Sequence, residues 1–406
     1  IITIDLGKRE NMKIISINTG SSSLKFSLFN MDKEEVIASG LFERIGLEGS
    51  SYTIKFHGEK IKEEIELQNH TDAVKVLLEK LISLNIIGSL DEINGVGHRL
   101  VHGKDKYSSS VLITDEVVED LIKFKDFAPL HNPANVLGIN AFREVLPDVP
   151  MVGVFDTAFH QTMSQEEYLY PVPYEWYQNY GVRKYGFHGT SHRYITKKIS
   201  KELNRNDLKI ISCHVGNGGS ITAIKDGKCV DTSMGFTPLA GIMMGTRSGD
   251  VDASIIPYVM EQEGLNASEV VDALNKKSGL LGISEKSSDM RDVVAGMEEG
   301  DEKCKLAFDM YTRKVTNYIA EYYVLLGGAD VIVFTAGLGE NSVPFRKRVC
   351  ENLVCLGIKL DEKANDCMGE LRKISSDDSS VFVYVIPTDE ELMIAEDTKR
   401  IINEIG

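Results

Sequence analysis

The sequence predicts an α/β protein with more than one domain. Apolar runs typical of buried strands repeatedly end in polar or glycine-rich loops, and amphipathic stretches with helical spacing lie between them. One strand–turn–strand pattern occurs twice, because residues 14–25 align with residues 210–221 and Gly20 then meets Gly216. The chain of 406 residues also exceeds what one hydrophobic core usually serves. We therefore expect two related halves that face one ligand.

In the first part of the chain, the pattern predicts a hairpin over 12–29, strands within 36–68, a helix over 72–84, a strand near 95–103, a loop into a helix at 126–133 and a strand over 152–160. In the middle, it predicts a rigid aromatic surface segment over 168–180, a helix from 190 or 191, a strand–loop–strand over 208–224, helices over 251–263 and 267–276, and a helix start at 287–291. Towards the end, it predicts a helix over 302–326, a strand over 331–333, a glycine loop over 334–341, a helix over 341–353, a strand over 382–386 and a helix over 392–405.

Composition and charge restrict the function classes. A hydrophobic content of 42% with 26% charged residues is typical of a globular protein. The formal charge of −16 argues against a nucleic-acid partner, whose phosphates would be repelled. No apolar run approaches the roughly 20 residues of a membrane-spanning helix, so we expect no membrane partner. Six cysteines without a CxxC pair indicate thiols in a reducing cytosol, so a cytoplasmic location is expected.

Glycine-rich loops at strand ends are the clearest chemical signal. Residues 214–220 hold three glycines in four positions, which frees the backbone to present several N–H groups together to a phosphate. The alternative for this loop alone is an ordinary glycine-rich hairpin. Residues 18–23 and 334–341 are also polar loops after apolar runs. Three such loops favour a nucleotide site over that alternative.

Basic residues follow a short predicted strand at 95–103. Arg99 lies between apolar residues, and an arginine at a buried strand end needs an anion, for which its planar fork suits a carboxylate or phosphate. A surface ion pair is the alternative. His131, in the loop before a predicted helix, is by itself more typical of a structural histidine.

Acidic residues mark three other element ends. Asp156 ends a buried strand, where acids of α/β folds commonly lie in the ligand crevice, although a helix N-cap is equally consistent. Asp289 is consistent with an N-cap at the start of a helix. Glu390 opens the last helix, either as a partner of the helix dipole or as a ligand that holds Mg²⁺ through water.

Two further cationic or titratable residues lie between glycines. Arg247 has glycines on both sides in an apolar context, which is typical of an arginine that reaches a phosphate. His188 lies between Gly186 and Gly189, which allow it to approach a ligand closely. A metal pair of His188 with His192 is rejected, because no acid or cysteine ligand accompanies them and Gly189 is expected outside the helix.

Two motifs resemble signatures of the acetate kinase family, within the acetate and sugar kinase, Hsp70 and actin superfamily. They are Asn18–Lys25 and Gly186–His192, and the similarity runs from about Met12 to the C-terminus. The resemblance implies two RNase H-like α/β domains with an active-site cleft between them and a homodimer. The implied domains are 12–159 with 390–406, and 160–389. Residues 1–11 are predicted to be a non-native or upstream extension.

The resemblance also implies reversible, direct in-line phosphoryl transfer from ATP to acetate with Mg²⁺, or Mn²⁺, giving ADP and acetyl phosphate. The implied catalytic residues are Arg99, Asp156, His188 and Arg247, with Arg99 and His131 binding acetate and Asn18 and Glu390 binding the metal. The implied nucleotide-binding residues are Lys25, His214, Val215, Gly216, Asn217, Gly218, Asp289, Met290, Arg291, Gly337, Leu338, Gly339, Glu340 and Asn341. The alternatives are a propionate or butyrate kinase of this family, a sugar kinase with Asp156 as base, and an Hsp70- or actin-like ATPase.

Overall fold

A computed structural model of the chain describes residues 11–405. The predicted extension over 1–11 therefore lies outside the described residues except for Asn11. The chain divides into two compact units. Unit 1 runs to Ala158 and resumes at Asp389, and unit 2 is Phe159–Thr388.

Unit 1 contains one mixed sheet with helices against it. Its strands are β1 (Lys13–Gly20), β2 (Ser23–Asn30), β3 (Glu35–Glu43), β4 (Ser51–Phe56), β5 (Glu59–Glu64), β6 (Ile93–Leu100), β7 (Val111–Leu112) and β8 (Met151–Phe155). Its helices are α1 (His70–Ser83), α2 (Asp115–Lys123), α3 (Asn132–Val145) and the C-terminal helix Glu390–Ile405. The strand order is β5-β4-β3-β2-β1-β6-β8-β7, with β6 parallel to both β1 and β8.

The C-terminal helix packs unusually close to the middle of this sheet. β6 carries two glycines on that side, and a Cβ at Gly95 would lie 2.2 Å from Ile402 Cδ1, while one at Gly97 would lie 2.3 Å from Thr398 Oγ1. Side chains at these two positions would push the helix outward. The glycines thus fix where the first turn of the helix, with Glu390, meets the sheet.

Unit 2 contains a second mixed sheet and most of the helices. Its strands are β9 (Lys209–Val215), β10 (Gly219–Lys225), β11 (Lys228–Thr232), β12 (Val331–Thr335), β13 (Arg372–Lys373) and β14 (Phe382–Val385). Its helices are α4 (Gln165–Tyr168), α5 (Tyr174–Tyr180), α6 (Gly189–Leu203), α7 (Ile255–Glu263), α8 (Ala267–Lys276), α9 (Gly279–Ser284), α10 (Met290–Glu298), α11 (Glu302–Leu325), α12 (Ala336–Asn341), α13 (Val343–Asn352) and α14 (Glu362–Asn365). The strand order is β11-β10-β9-β12-β14-β13.

The two sheets share five strands in the same order. In unit 1, β3, β2 and β1 form an antiparallel meander that continues into the parallel strands β6 and β8. In unit 2, β11, β10 and β9 form the same meander and continue into the parallel strands β12 and β14. The predicted α/β class with two related halves is confirmed.

Three local predictions are wrong. Residues 336–341 form helix α12 rather than a glycine loop, because Glu340 Oε1 accepts the Ala336 N–H at 2.7 Å and so caps that helix from within. Helix α6 begins at Gly189, which was expected outside it. Helix α7 begins at Ile255 rather than residue 251.

Candidate functional site

Arg99 and Asp156 meet in unit 1 at the ends of neighbouring strands. β6 and β8 are parallel, so the last residues of both reach the same edge of the sheet. Arg99 Nη2 donates to Asp156 Oδ2 at 2.5 Å and Nε donates to Oδ1 at 3.1 Å, which makes a two-point contact. The Asp156 side chain is 2% exposed and that of Arg99 is 25% exposed. The charge of Asp156 is the main cause that raises the pKa of Arg99, so the guanidinium stays cationic.

Further charged and polar groups surround this pair. Asn18 Oδ1 lies 3.5 Å from Arg99 Nη1. The pKa of Glu390 is raised to about 7, first by burial and then by the charges of Asp156 and Glu391, against the opposing effect of Arg99. Lys25, predicted to contact nucleotide phosphates, forms an ion pair with Glu391. This edge of unit 1 is therefore rich in carboxylates.

The acidic residues at this edge do not form a ready-made metal cage. Among the described residues, no group of three or more histidine, cysteine or acidic side chains is arranged to hold a metal ion. Mg²⁺ is commonly held by only one or two carboxylates together with water and substrate phosphates. Glu390 fits that pattern, because its raised pKa marks a carboxylate that a cation would stabilise.

His131 and the asparagines after it occupy the start of α3. His131 is exposed, and its carbonyl accepts the N–H of Asn135 at 2.8 Å. The side chains of the buried Asn132 and Asn135 accept the backbone N–H groups of His102, at 3.3 Å, and Val101, at 3.1 Å. The asparagines thereby fix the backbone just after Arg99. Sequence reasoning missed them, although two asparagines at a helix start were a usable signal.

The two histidines beside Arg99 are structural. Burial lowers the pKa of His98 to about 3 and that of His102 to about 3. Both rings are therefore neutral at physiological pH. Arg99 supplies the positive charge at this strand end.

A cavity of about 830 Å³ lies in unit 2. Three segments predicted to bind nucleotide line it, contributing Gly216, Asn217, Asp289, Met290, Arg291, Gly337, Leu338 and Asn341. Its wall also includes the apolar residues Leu280, Val294, Pro344 and Met368, which the sequence did not identify. A concave, largely apolar site with a few polar groups is typical of small-molecule binding.

Other residues predicted to bind nucleotide lie behind this cavity or beside it. His214 and Val215 are buried at the end of β9, and a Cβ at Gly339 would lie 3.0 Å from Val215 Cγ2. Glu340 Oε1 accepts the N–H groups of Ala336 at 2.7 Å and Thr388 at 3.0 Å, so it supports the backbone.

Asp289 caps α10 by accepting the Arg291 N–H at 2.8 Å. Both the capping interpretation and the ligand interpretation of Asp289 therefore remain.

Arg247 and His188 both lie beside the glycine loop between β9 and β10. A Cβ at Gly218 would lie 3.5 Å from Arg247 Nη1 and 3.7 Å from His188 Cε1. Arg247 Nη1 donates to Pro238 O at 3.3 Å, and no ion pair in the described residues involves Arg247. Burial lowers the pKa of Arg247, which marks a desolvated cation. Such a group is suited to an incoming anion.

His188 is held in a strained backbone conformation at the start of α6. Its φ of 57° is left-handed, which is uncommon outside glycine. Its ring stacks on that of His214 with the centroids 4.1 Å apart, and its Nδ1 lies 2.9 Å from Ser220 Oγ. The orientation of the His188 ring is therefore fixed by the stack on His214, the hydrogen bond with Ser220 and the backbone conformation.

Comparison with known proteins identifies the family. A model described as the acetokinase family matches residues 13–396. The chain belongs to the acetokinase family. The acetate kinase of Bacillus cytotoxicus is 55% identical over 393 residues, covering 96% of this chain and 99% of the relative. That of Bacillus subtilis is 54% identical over 391 residues, covering 96% and 99%.

Solved structures of the family agree with this assignment. The Porphyromonas gingivalis acetate kinase has a TM-score of 0.93 and 46% identity, covering 96% of this chain and 100% of that one. A Francisella tularensis propionate kinase has a TM-score of 0.90 and 40% identity, covering 96% and 99%. The acetokinase fold thus extends over nearly the whole chain.

Between residues 11 and 405, no helix combines the length and apolar character that crossing a membrane requires.

In this acetokinase-family chain the predicted site residues form two groups. Unit 1 brings together Asn18, Lys25, Arg99, Asp156 and Glu390 through direct contacts and charge interactions. Unit 2 brings His188 and Arg247 to the glycine loop after β9, and that loop lines the cavity together with residues 289–291 and 337–341. His131 lies at the start of α3, where its carbonyl oxygen accepts the N–H of Asn135.

Proposed function

We propose that the chain is an acetate kinase, which transfers the γ-phosphoryl group of ATP reversibly to acetate and gives ADP and acetyl phosphate. The observation that carries this proposal is the 55% identity to an acetate kinase over 96% of the chain. The two groups of residues support it, because one offers a cation at a strand end and the other a cavity beside the glycine loop after β9 and helix α12.

The acceptor explains why unit 1 holds an arginine fixed by an acid. The pKa of acetate is close to that of an aspartate or glutamate side chain, so acetate is already ionised at neutral pH and needs no general base. Arg99 would bind the acetate carboxylate, with His131 beside it. Asp156 holds two guanidinium nitrogens of Arg99, which fixes the direction of the remaining donors. Asp156 is then an orienting group rather than a proton acceptor.

The transferring phosphoryl group explains the desolvated cation of unit 2. Phosphoryl transfer depends on positioning and on stabilising negative charge, with the attacking and leaving oxygens in line. Arg247 and His188 would donate to the phosphoryl oxygens during this in-line transfer. Arg247 has no carboxylate partner in residues 11–405 that would compete with that anion.

The cavity of unit 2 would hold the nucleotide. The segments with Gly216 to Gly218 and Gly337 to Asn341 would face phosphates, and the segment from Asp289 to Arg291 would border the adenine, where Leu280 and Met290 offer apolar surface. His214, Val215, Gly339 and Glu340 would shape this site from behind. Lys25 would reach the phosphates after leaving Glu391.

Mg²⁺ fits the acidic edge of unit 1, and Mn²⁺ would serve in its place. Glu390 and Asn18 would hold the ion, with water and phosphate oxygens completing its coordination. When bound, the ion neutralises phosphate charge. Glu390 must lose its proton to serve as a ligand, which its raised pKa makes dependent on pH.

The proposal includes a cytoplasmic homodimer without a nucleic-acid or membrane partner. The charge of −16 supports the first exclusion. An exposed aromatic surface on α5, with Trp176 at 44% and Tyr180 at 66% exposure, supports association of two copies. We further propose that the domains of this enzyme are 12–159 with 390–406, and 160–389. Light scattering of the purified protein would test the dimer.

A propionate kinase is the second candidate, because a solved propionate kinase is 40% identical with a TM-score of 0.90. One methyl group changes binding by about 1–3 kcal/mol, so overlapping use of both acids is expected. Trapping the product with hydroxylamine tests both candidates, since an acyl phosphate gives a hydroxamate. We expect the highest kcat/KM with acetate. A higher value with propionate or butyrate would favour the second candidate, and ATP consumption without hydroxamate would reject both.

A further inference from the structure

A series of three buried polar side chains leads from His188 into the interior of unit 2. His188 Nδ1 lies 2.9 Å from Ser220 Oγ, and the same oxygen lies 2.7 Å from His192 Nε2. His192 Nδ1 lies 2.9 Å from Ser212 Oγ. Ser212, His192 and Ser220 are fully buried, and we call these three residues the relay. The acetate kinase reaction proposed above gives the relay no role.

Each of the three hydrogen bonds along the relay needs one hydrogen. A hydroxyl supplies one hydrogen, and a neutral imidazole supplies one N–H and one acceptor nitrogen. Burial, with smaller effects from His160 and His214, holds the pKa of His192 well below its usual value. His192 is therefore neutral and carries a single hydrogen. Ser220 could accept from both histidines, but its buried hydroxyl hydrogen would then have no acceptor, because Ser220 Oγ has no further hydrogen-bond partner within the described residues. The hydrogens of the relay therefore all point in the same direction along it.

Two directions are possible. In the first, Ser212 donates to His192 Nδ1, His192 Nε2 donates to Ser220, and Ser220 donates to His188 Nδ1. In the second, every hydrogen bond is reversed, so that His188 Nδ1 donates to Ser220 and Ser212 accepts from His192. Each direction requires a different tautomer of His188.

Ser212 decides between the two directions. In the second direction its hydroxyl hydrogen needs another acceptor, and within the described residues Ser212 Oγ makes no hydrogen bond except that to His192. A fully buried hydroxyl without an acceptor is unfavourable by about tenfold or more in population. The first direction satisfies every donor in the relay, so Ser220 donates to His188 Nδ1 and leaves the ring hydrogen on Nε2.

We propose that Ser212, His192 and Ser220 are positioning residues that hold His188 as the neutral tautomer with its proton on Nε2. His188 Nε2–H is then a permanent donor for the transferring phosphoryl group, and Arg247 supplies the positive charge. The kinetic part of this inference rests on the proposed acetate kinase function, whereas the tautomer does not. The stack on His214 fixes the ring plane, and the relay fixes which ring nitrogen donates.

Nitrogen NMR of the whole chain labelled with ¹⁵N-histidine tests the tautomer directly. The spectrum is taken well above the ordinary histidine pKa of about 6.5, and His188→Asn identifies the His188 signals by their loss. We expect a protonated Nε2 and an unprotonated Nδ1. A protonated Nδ1 on His188 in the unsubstituted protein would overturn the proposal.

Substitutions in the relay test whether it causes the tautomer. Ser220→Ala is expected to move both His188 nitrogen shifts toward those of a tautomer mixture, and to lower kcat by up to about tenfold with the KM for ATP unchanged. Ser212→Ala, at the far end, is expected to move the same shifts without touching His188, and it serves if Ser220→Ala does not fold. Unchanged His188 shifts in both variants would overturn the proposal.

Thr222→Val is the matched control. Thr222 is also fully buried on β10, two residues beyond Ser220, and its Oγ1 lies 2.8 Å from Thr232 Oγ1 rather than from a histidine. We expect it to leave the His188 shifts and kcat unchanged. If the tautomer is found but no acyl phosphate forms, the proposed function fails and the relay stands. If acyl phosphate forms at a normal rate but His188 is the other tautomer, the proposed function stands and the proposal for the relay fails.

Discussion

Arg99 and Arg247 are two arginines in opposite surroundings. Arg99 in unit 1 has two hydrogen bonds to Asp156, and Glu390 and Glu391 also contribute favourable charge. Arg247 in unit 2 contacts a carbonyl oxygen and a methionine sulfur, and its pKa is lowered by burial. A paired arginine is already stabilised and oriented, whereas a desolvated one gains most when an anion arrives. The difference suggests that Arg99 binds a stable ground-state anion and Arg247 a transient one.

Loss of Arg247 is expected to have the largest effect. Arg247→Ala should lower kcat by about 10³–10⁵ and change the KM for ATP little, because the contact forms mainly in the transition state. Steady-state kinetics with each substrate varied would measure both values. Arg205→Ala is the control, since Arg205 is exposed and pairs with Asp207 and Asp330. A near-native kcat for Arg247→Ala would remove the distinction between the two arginines.

Asp156→Asn is expected to come next, with a fall in kcat/KM for acetate of up to about 10²-fold. The substitution keeps the size of the side chain and removes the charge that orients Arg99. Because Asp156 contacts Arg99 directly, we expect neither raised Mg²⁺ nor raised pH to restore activity. If raised Mg²⁺ restored the activity of Asp156→Asn, the metal would be the partner of Asp156. If high pH restored it, the hypothesis that Asp156 is a general base would be favoured again.

Arg99→Ala should raise the KM for acetate by about 10–100-fold and leave that for ATP nearly unchanged, through loss of a charged hydrogen bond to the substrate. The double variant with Asp156→Asn sharpens the comparison. If Asp156 acts only through Arg99, the double variant should be no worse than Arg99→Ala. Additive losses, or a larger effect on ATP than on acetate, would contradict the assignment of Arg99 to the acceptor.

The sequence predicted the parts of the fold that depend on short-range pattern. The hairpins β1–β2 and β9–β10 follow from apolar runs on either side of polar turns, and their duplication indicated two related sheets. The same local signals identified Arg99, Asp156 and Arg247 as candidates. Helix α12 was missed because its cap is supplied by Glu340, a residue within the helix itself.

Pairings between distant residues could not be predicted in this way. Arg99 and Asp156 lie 57 positions apart and meet only because β6 and β8 are parallel neighbours in register. The relay likewise joins α6 with β9 and β10, and nothing in the local pattern of Ser212 or Ser220 distinguishes them from other buried serines. Such contacts depend on strand order, which one sequence does not reveal.

The smallest expected effect concerns the acidic edge itself and requires no substrate. The pKa of Glu390 is raised from 4.5 to about 7, so the folded protein binds the proton more tightly than the unfolded chain does. The stability contributed by this carboxyl group is fully present below about pH 4.5 and is lost as the pH rises through about 7. Removing the charge should therefore stabilise the fold at neutral pH.

Glu390→Gln is accordingly expected to raise the free energy of unfolding by about 1 kcal/mol at neutral pH and by much less at acidic pH, where the carboxyl is already protonated. Urea unfolding of both proteins with EDTA present, at about pH 5 and about pH 8, measures the difference. Glu404→Gln is the control, because Glu404 is exposed at the other end of the same helix and pairs with Arg400. Glu390→Gln should also lose acetate kinase activity if Glu390 holds Mg²⁺. If Glu390→Gln is destabilised at pH 8, the charge of Glu390 is compensated at this edge, and the charge of Glu390 would then not count among the differences between the surroundings of Arg99 and those of Arg247.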